Sequence, residues 1–424
     1  MLDRPLHAPT ALGDAASSSS PRIPPIWLLG LTNGTFGMYG GFVAISLPQL
    51  LSEQHLSPGR VASITALVFT PYFSSFLLSP MLDVRFSRRF YACLLSVLSA
   101  IFLSIGILNL HHLGILQVAL IAGVASGYLS ASALFGWLST VIPAQEEKRL
   151  SAWLNVGNIG GAGLMVILSG ELIQRLPLHW AALLLGLAIL VPLAIFPFVP
   201  APGPDRRLAS ESFTAFFREI GTLLGRREIL LSLVLFLAPA GSFALANIVG
   251  GLGDNYHASI HTVSLAGGVG VLLAGLIGSL SYPLLARRIA LRPLYLLVGL
   301  VGAASTLFLL LLAHTPAVFV MTLFAENMFQ SLAYTGAFAI QFETIGQDNP
   351  LAATAFSVMG AAVNFSNTYM IAVDGHVLET RGLAGAYLND AVMGILACAL
   401  LALLLRWTRR PGTERTPVAQ HTIS

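Results

Sequence analysis

The chain has little charge: only 10% of its 424 residues are Asp, Glu, Lys or Arg, against about 25% in a soluble domain. Together with 55% hydrophobic residues and a mean hydropathy of +0.79, that deficit excludes an ordinary soluble domain and predicts a polytopic membrane protein. Cysteine is nearly absent. Cys93 and Cys398 both fall in apolar runs, where a free thiol behaves as a small hydrophobe, so no disulfide framework or cysteine metal site is implied. The histidines of the loops, His111, His112, His257, His261 and His376, have no metal-ligand spacing. A phosphate-binding loop is also missing, and the glycines at Gly267, Gly268 and Gly270 lie inside an apolar run rather than at a strand-to-helix turn. The sequence predicts no enzyme, no metal and no cofactor, and any transport must draw on a gradient.

What is present is apolar length. At about 20 residues per membrane span, twelve runs cover 27–51, 61–82, 90–110, 114–142, 150–172, 179–199, 229–252, 260–285, 293–313, 316–342, 351–373 and 383–407. Counting Arg406 at the inner end of the last run, nineteen of the 22 Lys and Arg residues fall in the even gaps and the two tails; the odd gaps hold only Arg60, Arg175 and Arg381. The positive-inside rule then puts both termini in the cytoplasm. The net charge of +3 follows from this anchoring bias and does not point to nucleic acid.

The runs divide at the polar stretch 200–228, and the halves echo one another at an offset of about 205 residues. Pro80-Met81-Leu82-Asp83-Val84-Arg85 matches Pro283-Leu284-Leu285-Ala286-Arg287-Arg288, Gly34-Thr35-Phe36 matches Gly241-Ser242-Phe243, and Ser169-Gly170-Glu171-Leu172 matches Asp374-Gly375-His376-Val377. The expected organisation is a disordered cytoplasmic tail at 1–25, a six-helix bundle at 26–199, a linker at 200–228, a second six-helix bundle at 229–407 and a tail at 408–424. In the linker, Phe213, Phe216, Phe217, Ile220 and Leu224 recur at helical spacing opposite Arg218 and Glu219, which predicts a helix lying on the membrane surface.

Two parallel six-helix repeats joined by a linker resemble the major facilitator superfamily over nearly the whole length. The resemblance implies an all-α membrane protein of twelve transmembrane helices in two pseudo-symmetric bundles that rock around a midplane cavity. Asp83-Val84-Arg85-Phe86-Ser87-Arg88-Arg89 resembles the superfamily's loop after its second helix. It implies a latch in which Asp83 meets a basic residue or a helix end of the other half while Arg85, Arg88 and Arg89 gate the inner side; positive-inside anchoring alone accounts equally well for the three arginines. The Pro-x-x-Asp ending the second run, the paired Arg ahead of the third and Glu326 in the tenth are similar to the peptide and acetyl-CoA transporter group, which includes AmpG-type muropeptide permeases and siderophore importers. Val84 stands where that group has Arg, and the loop is shorter.

An ionisable group at membrane depth costs about 2.5 to 3.5 kcal/mol on insertion scales, so its presence calls for a cavity, a partner or a function. Glu326 is the candidate proton carrier. Gln330 and Tyr334 follow it at i+4 and i+8, and with Asn33, Tyr39, Asn364 and Asn367 they form the candidate substrate set. Asn155 and Asn158, set among glycines, fit helix packing better; Phe36 and Phe42 read as lipid-facing or core, Trp137 as an interfacial anchor, and Glu171, Asp254, Asp374 and Asp390 as solvated groups at outer span ends. The expected protein is a monomeric, proton-coupled secondary transporter of a bacterial inner membrane that imports a bulky polar solute, a siderophore or a muropeptide. A drug or metabolite exporter of the same fold, or a transport-inactive receptor or scaffold, fits the same sequence.

Overall fold

The computed structural model describes residues 23–201, 218, 221–222, 225–347 and 349–408. Of the expected surface helix at Phe213 to Leu224 only 218 and 221–222 are described, all helical, and most of both tails lie outside the described residues. Every regular element among the described residues is helical. We number twelve spans: α1 (26–53), α2 (58–83), α3 (Arg88–Leu108), α4 (Leu113–Val141), α5 (Glu147–Arg175), α6 (178–198), α7 (227–256), α8 (260–285), α9 (Leu291–Leu310), α10 (Pro316–Ile345), α11 (352–381) and α12 (383–408). The last two run together through Gly382, whose φ of 70° makes the turn. A glycine is suited there because that backbone region is costly for a side chain.

Among the described residues, eight helices are long and apolar enough to cross a membrane when counted as continuous elements, and α11 and α12 are joined in that count. The others are broken or polar for local reasons. α1 turns at Thr32 and Asn33 and loosens into a π-helical stretch at Phe42–Ser46. α7 is helical only over Arg227–Leu237, then passes through short 3₁₀ pieces from Pro239 to Tyr256. Pro239 starts that break because it supplies no N–H to the ladder, and Phe243 inside it sits at a φ of 45°. Helix starts are conventional: Ser87 caps α3 through the Phe90 N–H at 3.2 Å, and Thr315 caps α10 through that of Val318.

With no water to satisfy it, a membrane-spanning backbone must bond within its own helix. The outer faces therefore carry bare apolar side chains, among them Leu77, Val118, Leu311 and Leu400. Inside the first bundle, α1 lies directly on α5 through paired small residues. A Cβ on Gly37 would sit 1.9 Å from the Asn158 carbonyl oxygen, and one on Gly157 would sit 2.2 Å from that of Gly30. The glycines thus serve close approach of two helices.

Three cores hold the molecule together, and their distribution is uneven. One joins both bundles at the end where the arginines cluster, through Leu82, Phe135 and Leu138 from the first and Phe342, Phe356 and Ala353 from the second. The other two each lie within a single bundle: Tyr39, Leu47, Leu103 and Leu120 in the first, Leu245, Val249, Phe319 and Tyr387 in the second.

Candidate functional site

At the arginine-rich end the bundles are clamped. Asp83, at the end of α2, has a fully buried carboxylate that accepts from Arg88 Nε at 2.8 Å, from the Thr354 N–H at 2.8 Å, from Thr354 Oγ1 at 2.7 Å and from the Ala353 N–H at 3.3 Å. It therefore caps the N-terminus of α11, where backbone donors are unsatisfied and the helix dipole favours an anion. Arg88 completes the clamp by donating to the carbonyls of Pro350 at 2.8 Å and Asn349 at 3.1 Å. Of the two other arginines expected to gate, Arg85 is exposed, at a φ of 69°. Arg89 lies over the Trp137 ring, 5.5 Å from its centre. Trp137 itself is buried and donates to the Pro200 carbonyl at 2.9 Å, which corrects the interfacial-anchor reading.

The pseudo-equivalent corner carries the opposite charge. Where the second half has Ala286 in place of Asp83, the Ala286 carbonyl at the end of α8 accepts from Lys148 Nζ of α5 at 3.0 Å. An ammonium at a helix C-terminus is favourable for the same dipole reason. Gln347 adds a bond to the Ile142 carbonyl at 2.7 Å. Near mid-span the bundles are joined by Asn155 to Ser279 and to the Ser331 carbonyl, Tyr128 to the Ser357 carbonyl and Asn364 to the Tyr72 carbonyl.

Above this seal the bundles leave a cavity between them with about 60 Å³ of room for water-sized groups. Phe36, Tyr128 and Phe135 face Tyr334, Phe338 and Phe356 across it, and Asn158, Gln341 and Asn364 supply amides; no charged side chain lines it. Of the substrate set expected from sequence, Tyr334 and Asn364 are at this wall. Asn33 and Tyr39 are not: both are about 1% exposed and bonded inside the first bundle, Asn33 to the Leu154 carbonyl at 3.0 Å and Tyr39 to that of Leu120 at 3.3 Å. Asn367 stands behind the wall, donating to the Tyr334 hydroxyl at 3.0 Å. Gln330 reaches the α7 break, donating to the Phe243 carbonyl at 3.1 Å.

The polar stripe of α10 therefore does not share one face. Residues four apart on an α-helix advance by about 40° beyond a full turn, so Tyr334 and Glu326 point about 80° apart, one into the cavity and the other into the second bundle. Glu326 is 2% exposed, with Oε1 accepting from Thr306 Oγ1 of α9 at 2.5 Å and Oε2 without a partner. Asp374 and Asp390 are buried beside it, at 0% and 7% exposure, which overturns their reading as solvated ends; Glu171 and Asp254 are exposed.

The cavity aromatics Phe36, Phe135, Phe338 and Phe356 escaped sequence reasoning because a phenyl ring in an apolar run carries no mark of the face it occupies. Asp374 did carry a signal. The echo at the outer ends of the fifth and eleventh runs matches it to Ser169, and Ser169 is buried too, bonded to Ser46 at 2.6 Å inside the first bundle.

The sequence profile of the Major Facilitator Superfamily matches residues 29–249 and again 231–422. The chain belongs to the major facilitator superfamily. No curated protein sequence matches it. Among solved structures, this superfamily member is similar to the Escherichia coli fucose:proton symporter at a TM-score of 0.68 and 16% identity, over 91% of this chain and 99% of that one. A superfamily proton:xylose symporter bound to 6-bromo-6-deoxy-D-glucose gives 0.66 and 15%, over 91% and 95%. An outward-facing bacterial homologue of the iron transporter ferroportin gives 0.61 and 18%, over 91% and 99%. At these identities the likeness is one of fold, and the superfamily makes the chain a multi-pass secondary transporter.

Proposed function

We propose that the protein is a proton-coupled importer of an inner membrane, and that the arginine-rich end is its cytoplasmic side. The observation that carries this reading is an aromatic- and amide-lined cavity between the bundles, sealed at that end by Asp83 on the α11 terminus. Asp83, with Arg88 and Lys148, holds the inner gate shut, while the two separate cores at the other end let the bundles part toward the outside. Rocking about the cavity would exchange that seal for one at the outer end. Glu326 is the proton carrier, and the proton symport of two fold relatives supports that coupling. One proton moving down about 100 mV supplies about 2.3 kcal/mol, enough for roughly a 50-fold accumulation.

A wall of aromatic rings and amides without charges favours a neutral, ring-bearing solute. Of the two solute classes the sequence points to, a siderophore with a phenolic ring fits it better than a muropeptide, whose peptide stem carries carboxylates. The decisive test uses proteoliposomes with an interior pH dye, offered a phenolate siderophore, an anhydromuropeptide or L-fucose. Solute-dependent acidification with the siderophore is expected. No proton movement with any solute in either membrane orientation would favour a receptor or scaffold, and solute-dependent proton exit opposite to solute flow would favour an exporter.

A further inference from the structure

Beyond the cavity, the second bundle holds three carboxyl groups that nothing neutralises. Glu326 is ten residues into α10 from Pro316, and Asp374 and Asp390 are each eight residues from the Gly382 turn. At about 1.5 Å per residue, all three lie roughly 12 to 15 Å below the end opposite the arginines, at one depth on three helices. Asp374 and Asp390 stand on the two arms that meet at Gly382, equally far from the turn, and Asn389, the neighbour of Asp390, bonds Asp374; with Glu326, all three are buried in the same bundle.

Around them stand Thr306 from α9, Thr322 from α10, Tyr387 and Asn389 from α12, and from α7 the Ala244 backbone and Tyr256, the last with its ring 5.2 Å from that of His314. Asn389 donates to Asp374 Oδ1 at 2.7 Å, and Tyr256 and Tyr387 bond each other at 2.7 Å. None of the three acids forms an ion pair with Lys, Arg or His among the described residues. Two of their oxygens, Glu326 Oε2 and Asp374 Oδ2, are buried with no hydrogen-bond donor among the described residues.

Bare carboxylates cannot be stacked in this way. Burying one unpaired ion is costly, and two carboxylates in contact repel unless a proton lies between them. A metal ion would also neutralise them, but among the described residues no group of three or more acid, His or Cys side chains is arranged to hold one.

We propose that Glu326, Asp374 and Asp390 form a single proton-binding site that carries at least two protons in the state open opposite the arginine-rich end. One proton is shared by Asp374 and Asp390, and one is on Glu326. Each is taken from water on the outer side and returned to water on the inner side, so the acids are regenerated unchanged. Tyr256, bonded to Tyr387 at 2.7 Å, ties this store to the broken stretch of α7, the segment that Gln330 also holds by the Phe243 carbonyl. The inference deepens the proton-coupled reading by adding two residues to its coupling group.

The test needs no solute. Purified full-length protein in lipid nanodiscs is titrated while infrared spectra follow the C=O band of protonated carboxyls, for the wild type, Asp374→Asn and Asp390→Asn. Coupled acids titrate as a unit, so either substitution should shift the midpoint of the remaining band downward by about one pH unit or more. An unchanged midpoint would overturn the proposal, and so would a midpoint that falls when sodium chloride replaces choline chloride, which would mark a sodium site. Should the variants not fold, the wild type decides alone: dicyclohexylcarbodiimide, read by mass spectrometry, should modify all three acids with one common pH dependence. Modification confined to Glu326 would leave the transport reading standing and remove the shared site.

Discussion

Asp83 and Glu326 are both buried carboxylates near a helix of the second bundle, yet their surroundings are opposite. Asp83 accepts four hydrogen bonds, one from a guanidinium and two from the first N–H groups of α11, so its charge is fully answered. Glu326 accepts one, from a hydroxyl, and its second oxygen has none. The first arrangement fixes an anion and so holds two helices together. The second tolerates an anion badly, which is the ground for the proposal that Glu326 carries a proton. A buried acid is thus a lock or a carrier according to its donors, and depth alone does not distinguish the two.

The comparison is sharpened most by Glu326→Gln, which keeps the shape and the Thr306 contact but cannot release a proton. Accumulation against a gradient should vanish while the melting temperature stays within a few degrees of wild type; proteoliposome uptake and thermal unfolding read both. Accumulation at the wild-type level would show that the proton is carried elsewhere.

Asp83→Ala should act on the other arm. It strands Arg88 in a buried site, a change that costs about 3–5 kcal/mol when one partner of such a pair is lost. The seal should loosen, and maleimide labelling of Ser132→Cys from the arginine-rich side, in a background with Cys93 and Cys398 replaced by Ala, should accelerate at least about tenfold. An unaltered rate would mean that the apolar core around Phe135 closes this end without the latch.

Thr306→Val removes the one donor to Glu326 among the described residues and should cost about 1–3 kcal/mol, the usual penalty for orphaning a buried acceptor; transport should weaken without loss of coupling, as the ratio of protons to solute would report. The smallest effect is expected at Lys148→Met. Lys148 is half-buried, and its single bond to the Ala286 carbonyl is worth about 0.5–1.5 kcal/mol, so labelling of Ser132→Cys should rise only a few-fold. Equal effects at Asp83 and Lys148 would refute the asymmetry of the two corners.

Much of this was legible in the residue order. Apolar run length and the placement of arginine specify twelve membrane helices in two related halves, because a bilayer imposes one length and one backbone solution on every span. The Asp83 loop carries its own reading, since an acid among membrane-anchoring arginines needs a partner. Glu326 stands out for its cost. The direction of each side chain was not legible. Membrane helices are apolar on all sides, so the sequence lacks the amphipathic stripe that would tell cavity from lipid or from bundle interior. Tyr334 and Glu326 diverge because α10 turns between them, Asn33 and Tyr39 are spent on packing α1 against its neighbours, and Asp374 and Asp390 meet Glu326 because α11 and α12 fold back at Gly382 and bring equidistant residues to one depth. Contacts of that kind exist only once helices distant in the chain are side by side, and only the tertiary structure decides them.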